Sequence, residues 1–103
     1  PLGALGATDQ HSQVQLFMEG PADKTVTFIG VDHRPERLPI PRLHGDIDSL
    51  AYLGGHSLGE LIDVEQRATA GALARRGRIN MTMTMDRVDA RHVGELIMLL
   101  ELA

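Results

Sequence analysis

No cysteine and no tryptophan occur in the 103 residues, and the aromatic side chains are one tyrosine and two phenylalanines. Without thiols there is no disulfide scaffold, no thiolate metal centre and no cysteine nucleophile. Lysine is nearly absent as well: Lys24 stands alone beside nine arginines. Acidic residues outnumber basic ones by 14 to 10, and a net charge of −4 with a pI near 5.6 leaves no footprint for nucleic acid. Long apolar runs are also lacking. The longest, Leu96 to Leu100, is far too short to cross a bilayer, and no basic stretch followed by an apolar core opens the chain as in a signal peptide. The expectation is a cytoplasmic protein with no nucleic-acid partner and no membrane partner.

What is present is ordinary for one globular unit, with 43% hydrophobic and 23% charged residues in 11.2 kDa. A chain of this size buries roughly 60–70% of its unfolded surface. Arg34, Arg37 and Arg42 form a local basic stretch, but Glu36, Asp46 and Asp48 lie in or beside it, which suits a solvated loop. The chain opens on Pro1 rather than Met and closes at Ala103 inside a helical pattern with no stop signal. We therefore expect residues 1–103 to be a single partial domain, cut at both ends.

Thr8 or Asp9 is placed to cap a helix running to about Glu19, where Gly20-Pro21 stops it; Val14, Phe17 and Met18 share a face, with His11 on the same line. The β-branched run 25–29 predicts a strand. From Asp32 to about Gly45, Pro35, Pro39 and Pro41 forbid a regular helix or central strand, and a helical turn fits residues 49–53. Ser57 and Glu60 form a capping box opening the longest helix, to about Arg76, ended by Gly77. Ile79, Met81, Met83 and Met85 alternate with Asn80, Thr82 and Thr84, which predicts a strand with a core-facing methionine stripe. Asp89 is placed to cap a last helix carrying Val93, Leu96, Ile97, Leu99 and Leu100. The α-β-α-β-α order predicts an α/β fold with a parallel sheet covered on both faces. Two strands alone make a poor sheet, so neighbouring strands are expected to be missing.

The segment from Leu5 to Leu16 gathers Thr8, Asp9, Gln10, His11 and Ser12 into a first helical turn. Free backbone N–H groups there favour an anionic or polar ligand, and a histidine can move protons at neutral pH. A capped helix with one satisfied core histidine explains the same residues. Gly54-Gly55-His56-Ser57 also leads into a helix N-terminus that could cradle phosphate, although the capping box and the turn account for it. The histidines at 11, 33, 44, 56 and 92 show no helical i, i+4 pair and no HExxH, so no metal site is expected. No G-x-S-x-G, Walker or Rossmann glycine pattern occurs.

Gly6-Ala7-Thr8-Asp9-Gln10-His11-Ser12-Gln13 resembles the histidine helix of bacterial phosphoglucose (glucose-6-phosphate) isomerases. The resemblance continues through Leu16 to Lys24, Thr27 to Ile29, Leu53 to Leu61 and on past Ile79-Asn80 to Leu96-Ile97. It implies a piece of the C-terminal half of such an enzyme, with a three-layer α-β-α sugar-isomerase (SIS-like) domain around a parallel sheet. It further implies interconversion of glucose-6-phosphate and fructose-6-phosphate through an enediol, in glycolysis and gluconeogenesis, with no cofactor and no metal. His11 matches the histidine that helps open the sugar ring, which these homodimeric enzymes lend to the neighbouring subunit's site. Gln10 carries no catalytic role by this match. The family's proton-shuttling glutamate, its phosphate-gripping loop and its arginine would lie upstream of residue 1, and its glutamine and lysine beyond Ala103. Lys24, at the start of a strand, does not replace that lysine. The piece alone is therefore expected to be inactive, and a non-catalytic folding or interaction module of the same ancestry is the alternative.

Overall fold

The computed structural model describes residues 2–34 and 37–102; Pro35 of the expected loop, Glu36 and the terminal Pro1 and Ala103 lie outside them. The order is α1 (Gln10–Glu19), β1 (Val26–Val31), α2 (Asp48–Ala51), α3 (Leu58–Arg75), β2 (Asn80–Met85) and α4 (Ala90–Leu102). The two strands pair in parallel over six residues, from Val26 opposite Asn80 to Val31 opposite Met85. The chain is thus α/β with a parallel sheet, as expected. Parallel partners cannot be joined by a tight turn, so the chain must return to the starting end of the sheet before β2. α3 makes that return.

α3 starts and stops on local chemistry. The Glu60 amide donates to Ser57 Oγ at 3.2 Å, while the Ser57 amide donates to Glu60 Oε2 at 2.8 Å, so the expected capping box is formed. Gly77, at φ 67°, takes the left-handed position after the helix. Its amide donates to the Ala74 carbonyl and that of Arg78 donates to the Leu73 carbonyl, both at 2.9 Å, which is the Schellman arrangement. Leu73, 1% exposed, is the one fully buried apolar side chain among the described residues. α4 also starts as expected: the His92 amide donates to Asp89 Oδ1 at 2.9 Å.

Several expectations need correcting. Asp9 precedes α1 but makes no side-chain cap; its Oδ2 accepts from the Leu5 amide at 2.6 Å, on the far side from the helix. The described residues of the proline segment are loop, as expected, with one isolated antiparallel bridge between Pro39 and Ser57 and the Ile40 amide donating to His56 O at 2.8 Å. The short helix begins and ends slightly earlier than 49–53. The methionine stripe is not the face that α3 covers. Register places Val26, Phe28 and Gly30 beside Asn80, Thr82 and Thr84, and this is the side beneath α3: Asn80 Nδ2 donates to the Ala70 carbonyl, and a side chain at Gly30 would meet Gln66. The opposite face leaves Ile29 50%, Met81 51% and Ile79 70% exposed. In parallel sheets both faces are normally buried, so alternation along β2 could not say which face receives a given helix.

α1 lies on the α3 side and is held mainly by polar tethers. Arg78, placed by the Schellman turn, donates from Nε and Nη2 to Met18 O at 3.0 and 2.6 Å, and from Nη2 to Gly20 O at 2.7 Å. These carbonyls end α1 and have no helical partners of their own, and a cation suits the negative end of the helix dipole. At the other end Thr69 Oγ1 donates to Gln10 Oε1 at 2.9 Å.

The radius of gyration is 16.3 Å, where a compact domain of this length would have about 13 Å. Neither strand has a second strand neighbour among the described residues, and α4 contributes no buried residue. An apolar sheet face beside free strand edges favours association. The 103-residue chain is expected to self-associate in light scattering and to bind a hydrophobic dye; a monodisperse monomer with cooperative, high-temperature unfolding would contradict this. Arg78→Met should lower stability by about 1–3 kcal/mol, since hydrogen bonds from a charged donor are lost and two carbonyls are left without them. An unchanged urea midpoint would show that the clamp does not hold α1.

Candidate functional site

His11 occupies the second position of α1 and is exposed, with no hydrogen bond to its ring among the described residues. The inward stripe of α1 is instead Gln10, Gln13, Val14 and Phe17, all partly buried. His11 does share a line with Val14 and Met18, but on the flank of that stripe, so it is not a satisfied core histidine. The residues around it have local partners. Ser12 Oγ donates to the Asp9 carbonyl at 3.3 Å, and the Asp9 amide donates to Leu5 O at 2.8 Å. An imidazole exposed this way, next to a helix N-terminus, is available to exchange protons with a ligand oxygen.

Behind α1 lies a cavity of about 520 Å³, between that helix, β1 and α3. Gln13, Phe17, Phe28, Thr69 and Leu73 are among its walls, and His11 is outside it. Gln13 Oε1 is buried there with no hydrogen-bond partner among the described residues. Lys24 also borders the cavity and pairs with Asp23, which lowers the pKa of the Asp23 carboxyl through that hydrogen bond.

The Gly54–Ser57 turn is filled by the protein itself. Gly55, at φ 90°, has the Arg42 guanidinium close enough that a side chain would meet Nε at 2.9 Å. The Glu60 carboxylate sits on the Ser57 amide, which lowers its pKa, and His56 Nδ1 is 3.5 Å from it. A carboxylate already at the helix start opposes a phosphate there.

A second polar cluster gathers at the C-terminal ends of the strands, where α/β sheets commonly bind ligands. Arg34 holds Asp63 of α3 through Nη1 and Nη2 at 3.1 and 2.8 Å. His33 Nδ1 lies 2.7 Å from Asp86 Oδ1, and Arg87 Nε donates to Asp86 Oδ2 at 2.8 Å. Arg87 first, and then His33, keep the Asp86 carboxyl below its usual range. Arg34 and Asp63 are 29 residues apart and His33 and Asp86 are 53 apart, so no sequence spacing announces these two pairs. Each acid is matched by a base, and the cluster reads as a brace for the loop after β1. Among the described residues no three His, Asp or Glu side chains converge in the manner of a metal site, and no helix is long and apolar enough to cross a membrane.

No family model matches the sequence. A glucose-6-phosphate isomerase of Rubrobacter xylanophilus is 45% identical over 101 residues, which is 98% of this chain and 23% of that protein. One of Carboxydothermus hydrogenoformans is 46% identical over 98% of this chain and 22% of its own length. A crystal structure of a hypothetical protein from Thermus thermophilus superposes with a TM-score of 0.84 at 38% identity, over 91% of this chain and 22% of that one. The chain thus spans less than a quarter of the length of the relatives it matches. By a similarity that runs from one end of the sequence to the other, this chain belongs to the glucose-6-phosphate isomerase family, as a segment of its members.

Proposed function

We propose that the chain acts as the part of a glucose-6-phosphate isomerase that supplies the ring-opening histidine, His11. The observation that carries the reading is the placement of His11: an exposed imidazole without a hydrogen-bond partner among the described residues, in the first turn of a helix fastened at both ends. Opening the pyranose ring breaks the C1–O5 bond, puts a proton on O5 and removes one from the O1 hydroxyl, leaving the C1 aldehyde. An imidazole can give the first proton and help take the second near neutral pH. Isomerisation then proceeds through an enediol, and the carboxylate that moves the proton between C1 and C2 belongs to the part of the isomerase outside this segment. His11 faces away from the segment's own cavity, which suits service to a site completed by other elements, including a neighbouring subunit in a homodimer. The substrate is a sugar phosphate, the setting is cytoplasmic, and this segment by itself is inactive.

In an isomerase of the relatives' length containing this chain, His11→Ala should slow turnover of cyclic glucose-6-phosphate by about a hundredfold to ten-thousandfold. Turnover of an open-chain substrate should change much less, because the imidazole has no bond left to help break. A folded variant with normal turnover of the cyclic sugar would end the catalytic reading.

A further inference from the structure

We propose that Thr69 is a positioning residue for His11, acting through Gln10; this rests on the reading of His11 given above. Gln10 and His11 are the first two residues of α1, about 100° apart around the helix axis. Gln10 faces α3, where Thr69 Oγ1 donates to its Oε1 at 2.9 Å from 59 residues farther along the chain. His11 faces outward. No other side-chain hydrogen bond joins the first turn of α1 to α3 among the described residues, and Asp9 leaves that turn without a side-chain cap. The Arg78 clamp fastens the opposite end of the helix. The space beside Gln10 is narrow on its amide side, since a side chain at Gly6 would come within 3.1 Å of Gln10 Nε2. The bond therefore sets how the first turn is rotated about its axis.

That rotation matters to His11 because a side chain extends about 5–6 Å from the helix axis. Turning the first turn by about 10° would carry the imidazole roughly 1 Å sideways, and a displacement of that size can cost about a hundredfold in rate. The chain behind Gln10 gives little correction, because Gln13 Oε1 has no hydrogen-bond partner among the described residues and the cavity beside it leaves room to move.

The test uses the isomerase-length protein with Thr69→Val, which keeps the shape and removes the hydroxyl, and Thr69→Ser, which restores the donor. Thr69→Val should lower turnover of cyclic glucose-6-phosphate at least tenfold relative to an open-chain substrate, and Thr69→Ser should recover most of that ratio. Combined with His11→Ala, Thr69→Val should add no further loss in the ratio, since both act on one group. If Thr69→Val lowers only the melting temperature, or slows both substrate forms equally, Thr69 is structural and the proposal fails. If His11→Ala moves the ratio and Thr69→Val does not, the proposal alone fails. If His11→Ala leaves the ratio unchanged, the reading of His11 fails and the proposal with it.

Discussion

Pairing β1 with β2 in parallel obliges the chain to travel back along the sheet between Val31 and Asn80, and most of the remaining structure follows from how it does so. α3 runs the return, from Asp63 near the strands' C-terminal ends to Ala70 near the start of β2, where Asn80 holds its carbonyl. The turn that ends α3 then decides the direction of Arg78. A glycine at the left-handed position closes the Schellman turn, and the next residue's guanidinium lands on the last carbonyls of α1. One local stop signal thereby fastens a helix sixty residues earlier in the chain.

The cohesion is uneven. Burial is concentrated around Leu73, while the face carrying Ile29, Ile79 and Met81 is open. Hydrogen bonds from Arg78, Thr69 and Arg34 consequently take a larger share in fixing α1 and the loop after β1 than they would in a compact domain. The arginine bonds are charge-assisted, so they are stronger than neutral ones and strict in geometry, and they set orientation as well as adding stability. His11 is exposed and is not held by packing of its own ring.

The elements themselves were legible in the sequence because their signals are local. The capping box at Ser57, the glycine at 77, the aspartate at 89 and the alternation from Ile79 to Met85 each involve residues within a few positions of one another. The alternation did not reveal which side of β2 meets α3, since Asn80, Thr82 and Thr84 look like a solvent face until their parallel partners Val26, Phe28 and Gly30 are known. Arg78 and Thr69 carry no signal in the sequence alone. Their partners are 58–60 residues away, beyond anything periodicity can reach. His11 stood out for its neighbours and for the resemblance they carry, but the helical line it shares with Val14 and Met18 suggested a more buried position than it has.

The account turns on His11 meeting the sugar. In an isomerase-length protein labelled with ¹⁵N at its histidines, addition of fructose-6-phosphate can be followed by the imidazole resonances, with His11→Ala identifying the His11 signals. The account predicts that the His11 ring resonances shift in frequency as the sugar phosphate saturates, because a ligand oxygen becomes the hydrogen-bond partner that the ring lacks among the described residues. His11 resonances left unmoved by saturating sugar phosphate would contradict it.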